Sequence, residues 1–221
     1  MNYDRNRPVI SEKDQALLGE KTVAILGLGG LGGYLASGAL RLGVRKLILI
    51  DYDTFDETNL NRQLFSNEEN LGRLKVEVAK EELLKIDPQA EIIVYNKRVQ
   101  AIGDLVLFKG TDLIFDGLDS VVSRLLLMEI AMELGIPLVH GAISSFEGQL
   151  AFLDPDKNRM ELIYPRKDLG ASKTNFSFLP SFIASLQINK MLKYFLFEED
   201  LERNVLFRFD LRNRDFYKIQ L

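Results

Sequence analysis

The sequence predicts an α/β fold: a doubly wound, Rossmann-like sheet, mostly parallel, with antiparallel strands added at its C-terminal end. Three observations carry that expectation. Strand-like and helix-like segments alternate between residues 21 and 142, as successive βαβ units require. The strand-like runs are continuously apolar, the pattern of parallel strands covered by helices on both faces. After Gly141 the pattern shifts to FEGQLAFLD, whose alternation fits an antiparallel strand with one wetter face.

The elements follow in order. KTVAILG is a strand, a glycine turn follows, Leu31 to Leu42 is a helix, and RKLILID is the next strand. A helix near 70–86 ends before Asp87-Pro88, since a residue preceding proline is pushed out of the helical region. EIIVY, a helix near 102–109, TDLIFDG, a helix near 120–135 and IPLVHGA continue the alternation. Residues 154–176 are polar and rich in turn formers and are expected as a long loop. A helix near 178–197 and the strands NVLFRFD and DFYKIQL complete the pattern. The expected organisation is a single domain: an N-terminal arm over 1–20, a nucleotide-binding half over 21–142 and a second half over 143–221.

Composition narrows the chemistry. With 221 residues, 47% hydrophobic and 27% charged, the chain has an ordinary globular balance for about one domain. A net charge of -4 lacks the basic excess that binding a phosphate backbone demands, so nucleic acid is not an expected partner. The sequence holds no cysteine, which excludes disulfides, thiolate zinc sites and thiol nucleophiles from it. MNYDRNRPVI lacks the apolar centre of a signal peptide and no run of about 18 apolar residues occurs, so no membrane partner and a cytoplasmic location are expected.

The first chemical motif is GLGGLG, which puts Gly27, Gly29 and Gly32 on the G-x-G-x-x-G spacing between a strand and a helix. Glycines let the backbone turn tightly and approach a phosphate, while the free N–H groups and dipole of the helix start attract the anion. Asp51 ends the next strand, where a carboxylate accepts hydrogen bonds from ribose hydroxyls. These features specify an adenine nucleotide or dinucleotide and leave a nicotinamide or flavin enzyme open. The blander reading is that the glycines only permit close packing of helix on strand.

DYDTFDETNLNRQLF at 51–65 and GRLKVEVAK at 72–80 go further. With RNRPVI, the glycine turn, FDGLDSVVSR and GAISSFEGQLAFLD, they resemble the MoeB/ThiF/HesA family, bacterial relatives of ubiquitin-activating enzymes, over nearly the whole chain. The resemblance implies an adenylyltransferase using ATP and magnesium. Its substrate would be the C-terminal glycine carboxylate of a ubiquitin-like sulfur carrier with a Gly-Gly tail. It implies Arg62, Lys75, Asn59 and Asp119 as the catalytic set, with Asp119 organising magnesium. It also implies Arg5 reaching the γ-phosphate of a partner subunit in a homodimer; the alternative for Arg5 is a solvated terminal residue. The nucleotide-binding set would be Gly27, Gly29, Gly30, Gly32, Asp51, Asp53, Asn59, Arg62, Gln63, Lys75, Leu118 and Asp119.

Physical chemistry supports these residue types independently. Attack of a carboxylate on an α-phosphate builds charge on phosphoryl oxygens, so catalysis is positioning and cationic stabilisation. Arg presents a planar fork to phosphate and Lys a compact point charge. The departures are the absent paired cysteines, hence no structural zinc, the absent loop cysteine, and Ser120 where the family has asparagine. Arg124 matches the pattern and is expected to support the site. His140, the only histidine, is expected as a satisfied core residue, and FSFLPSFIASL as core or dimer surface. Other readings are activation of a peptide or modified-tRNA carboxylate, and a catalytically silent nucleotide-binding scaffold.

Overall fold

Strand β1 (Thr22–Leu26) lies inside a single eight-stranded sheet, flanked by β2 (Lys46–Asp51) and β4 (Leu113–Asp116). The computed structural model describes residues 1–165 and 175–221. With β3 (Glu91–Asn96), β5 (Leu138–Ser144), β6 (Glu147–Leu153), β7 (Val205–Asp210) and β8 (Asp215–Gln220), the strand order is β3-β2-β1-β4-β5-β6-β7-β8. The first five strands pair in parallel and the last three in antiparallel fashion. This is the expected doubly wound sheet with an antiparallel extension.

The apolar runs bury both faces of the central strands. Val23 and Ile25 of β1 and Leu47 and Leu49 of β2 enter one core; Ala24, Leu26, Ile48 and Ile50 enter the other. The first core is covered by α1 (Glu12–Glu20), α2 (Gly30–Leu42), α3 (Lys75–Ile86) and α6 (Phe178–Leu196). The second is covered by the 3-10 helix Ile102–Phe108, by α4 (Val121–Leu134) and by the short α5 (Met160–Ile163). No helix among the described residues is long and apolar enough to cross a membrane.

Local chemistry sets the boundaries. Ser11 caps α1, its hydroxyl accepting from the Asp14 N–H at 3.1 Å. Thus residues 12–20, within the stretch expected as an arm, are helical. The helix expected near 70–86 begins only at Lys75, because Gly72 turns the chain at φ 79 and Leu74 bridges Thr54. The segment near 102–109 is a 3-10 helix, not an α-helix. The expected 154–176 loop contains α5, and its residues 166–174 lie outside the described part. The wetter face expected for β6 is confined to its start, since Leu150–Leu153 are buried on both sides. β8 is the strand in solvent, with all six residues exposed.

Close approach at the glycine turn explains Gly32. A Cβ there would overlap the Gly27 carbonyl oxygen, whereas one at Gly103 meets nothing within 4 Å. Gly32→Ala is therefore expected to lower unfolding free energy by roughly 1–3 kcal/mol, the scale of an overpacked interior, while Gly103→Ala stays within about 0.5 kcal/mol. Urea titrations of both variants check this, and equal midpoints would contradict the packing.

Candidate nucleotide site

The sheet order reverses at β1, and in open α/β sheets the crevice beyond the carboxyl ends of the strands at such a point receives ligands. Three segments meet there. The turn Gly27–Gly29 leaves β1 and enters α2 at Gly30, presenting the unpaired N–H groups of a helix start. Asp51 closes β2 and leads into Tyr52–Gln63. Gly117 to Asp119 leave β4, and a Cβ on Gly27 would come within 2.7 Å of the Gly117 carbonyl oxygen and 3.2 Å of Leu118 N.

Asp51 holds the first two segments together. Its Oδ2 accepts from the Leu28 N–H at 2.5 Å and its Oδ1 from the Asp53 N–H at 2.8 Å. Burial pushes its carboxyl above the ordinary aspartate range, opposed by those two N–H groups and by the charge of Lys75. Both oxygens thus have protein donors, and each keeps one lone pair for a ribose hydroxyl. Asp53 is the more open acid, with 47% of its side chain exposed.

Lys75, the first residue of α3, is locked in from both ends. Its backbone N–H donates to the Asp53 carbonyl at 3.0 Å, and its Nζ lies 3.3 Å from Asp53 Oδ2. Its side chain is only 7% exposed, so this lysine does not project into solvent. Gln63 is also buried, borders Gly29, and its Oε1 has no hydrogen-bond partner among the described residues.

Asn59 and Arg62 are tied locally. Asn59 is buried; its Oδ1 accepts from the Asp56 N–H at 3.3 Å, closing a capping box, and its Nδ2 donates to Asp56 Oδ1 at 3.0 Å. Arg62 donates from Nη1 to the Thr58 carbonyl at 2.6 Å and to Asn61 Oδ1 at 3.0 Å. Both belong to the turn that carries Gln63 to the glycine turn, and neither reaches Lys75 in this structure.

Asp119 is exposed three residues beyond the end of β4, and the α4 cap is Ser120, whose hydroxyl accepts from Ser123 N at 3.4 Å. The serine that departs from the family pattern thus serves as the helix cap, and Asp119 does not. An exposed carboxylate beside the glycine turn fits magnesium, which takes one or two carboxylates together with phosphate oxygens and water. Arg5 lies elsewhere. Its neighbour Asn6 donates to Gln15, and Gln15 donates to Leu42 O, so the segment rests at the far end of α2, about 20 Å from Gly30.

Behind the site, sequence reasoning missed a buried polar cluster. Asp116, fully buried, accepts from Leu118 N at 2.9 Å, contacts His140 Nδ1 at 2.7 Å and lies 3.3 Å from Arg124 Nε. His140 is also fully buried, the satisfied core residue expected of it. Only the family pattern pointed to Arg124, and nothing in the sequence pointed to Tyr164, which completes the cluster.

"Probable molybdopterin-synthase adenylyltransferase" of Porphyra purpurea is 26% identical over 97% of this chain and 58% of its own length. "SAMP-activating enzyme E1" of Haloferax volcanii is 28% identical over 90% of this chain and 76% of its own. The chain therefore spans about six-tenths to three-quarters of these two relatives. Among solved structures, PaaA superposes with a TM-score of 0.81 at 20% identity, covering 98% of this chain and 68% of that one. Escherichia coli MccB with ATP gives 0.80 at 21% identity over 94% and 65%; both show the same fold. Residues 3–221 match the ThiF family, and the chain belongs to that family.

Proposed function

We propose that the chain is an ATP-dependent adenylyltransferase that activates the C-terminal glycine carboxylate of a ubiquitin-like sulfur carrier as an acyl-adenylate. The observation that carries this reading is the convergence of the glycine turn, Asp51 and the buried Lys75 at the sheet's switch point, with no thiol in the sequence to take the acyl group onward. A carrier carboxylate oxygen forms a bond to the α-phosphorus, the bond from that phosphorus to the bridging oxygen breaks, and pyrophosphate leaves. No proton needs to move, so the protein's task is alignment and charge stabilisation.

The residues divide that task. The N–H groups at the start of α2 receive phosphate oxygens, and Asp51 and Asp53 take the ribose. Gln63 Oε1 accepts from the nucleotide or from a water held by it. Lys75, held by Asp53, supplies a preorganised positive charge, and Arg62, released from Thr58, supplies a fork to the phosphates. Asn59 keeps the Asp56–Gln63 turn in shape. Magnesium held by Asp119 would neutralise phosphate charge when bound. Arg5, remote from this chain's own crevice, would act across a homodimer.

A second substrate class has its own support. MccB, which shares the fold, has been solved with AMPCPP and MccA, and a peptide carboxylate in place of a carrier is the second reading. Pyrophosphate exchange separates the two: exchange that depends on a carrier ending in Gly-Gly supports the first reading, and exchange with a peptide carboxylate alone supports the second. No exchange with either rejects adenylation.

Two predictions follow from the roles assigned. Arg62→Ala should lower kcat/KM by the equivalent of roughly 2–4 kcal/mol, the loss of one preorganised charge-stabilising donor, with little change in melting temperature. Unaltered turnover would remove Arg62 from the site. Arg5→Ala and Lys75→Met should each be inactive alone, yet mixing them with subunit exchange should restore about a quarter of native activity through one intact shared site. If the mixture stays inactive, Arg5 does not act across subunits.

A further inference from the structure

Tyr164 follows α5, outside every motif in the sequence, and its hydroxyl is at the centre of the buried cluster behind the site. Tyr164 Oη accepts from Arg124 Nη1 at 3.0 Å, donates to Gln149 Oε1 at 3.3 Å and lies 3.5 Å from His140 Nε2. Its ring stands edge-on to the imidazole at 5.8 Å, with the Arg124 guanidinium 5.5 Å from the ring centroid. Burial raises the phenol above its ordinary range, so it remains a neutral hydroxyl able to accept and donate at once.

Arg124 conveys this to the site. Only 5% exposed, it donates from Nη2 to the Leu118 carbonyl and sits against Asp116, whose Oδ1 accepts from the Leu118 N–H. Leu118 is therefore held at both its N–H and its C=O. Its carbonyl belongs to the same rigid peptide plane as the Asp119 N–H, so the grip on Leu118 sets where the Asp119 side chain emerges. Nε of Arg124 already lacks a hydrogen-bond partner, so a guanidinium that loses Tyr164 Oη has a second buried donor unpaired, and swinging away from Leu118 would relieve it.

We propose that Tyr164 is a positioning residue for the metal-binding end of the nucleotide site: through Arg124 it fixes the Leu118–Asp119 peptide and thereby the aim of the Asp119 carboxylate. This rests on the reading of Asp119 as the magnesium ligand. The phenol acts at a distance and touches neither nucleotide nor substrate.

The test is calorimetric titration of the full chain with ATP, in EDTA and in excess magnesium, comparing native protein, Tyr164→Phe, Arg124→Lys and Asp119→Asn. Native protein should bind ATP more tightly with magnesium, and Asp119→Asn should lose that gain. Tyr164→Phe should bind ATP normally in EDTA but lose about fivefold to tenfold of the magnesium gain, the scale of one ordinary intramolecular hydrogen bond. Arg124→Lys keeps the charge but not the fork that spans Leu118 and Tyr164, and should show the same selective loss. It keeps the test decisive should the phenylalanine variant fold poorly. A full magnesium gain in both positioning variants overturns the proposal alone. No gain in native protein, or an undiminished gain in Asp119→Asn, overturns the reading of Asp119 and the proposal with it.

Discussion

The bond from the Leu28 N–H to the Asp51 carboxylate, 2.5 Å long, is the constraint on which the rest of the site depends. It fastens the turn after β1 to the end of β2, two backbone segments 23 residues apart in sequence. The turn is otherwise a run of glycines with little intrinsic preference for one shape, and Gly27 adopts φ 90. A buried carboxylate is costly without donors, and Asp51 obtains them only when the turn is folded correctly. The acid thus makes an otherwise indifferent loop conformation the one that satisfies it, and Lys75 approaches the same acid from α3.

The same device recurs on the other side of β1. Asp116 ends β4 as Asp51 ends β2, both are buried, and each accepts from the N–H two residues on, Leu118 at 2.9 Å and Asp53 at 2.8 Å. The two strands flank β1, so the crevice is framed by paired carboxylate-held turns. They differ in their surroundings. Asp51 feels the charge of Lys75, whose ammonium pairs with Asp53, while Asp116 meets Arg124 and His140 in the interior. One frame is available to a ligand, and the other is a sealed brace.

Much of this was legible in the sequence because it rests on short-range patterns. Continuous apolar runs such as TVAIL mark strands buried on two faces, and a G-x-G-x-x-G between strand and helix marks the anion-receiving turn. Lys75 and Asp53 fall in segments that the family resemblance marked, not any local pattern. The Asp116–His140–Tyr164 cluster was not legible, since its members are 24 residues apart at each step and meet only through sheet order and the path of α5. Local propensity also misjudged 70–86, where a positive-φ glycine and a bridge to Thr54 delay the helix until Lys75. The antiparallel signal at β6 was sound in direction but not in burial, because α5 and α6 cover both its faces beyond Gln149.

The antiparallel extension leaves β8 paired with β7 alone among the described strands, with all six residues exposed and Lys218 bonded to Glu202 at 2.6 Å. Such a strand shares little of the cooperative core, so the terminal hairpin forms a separate tier of local opening. Exchange of its amides would proceed while the turns framing the crevice remain protected. Among the described residues, the β1 crevice is thereby braced by buried bonds that the hairpin three strands beyond β5 does without.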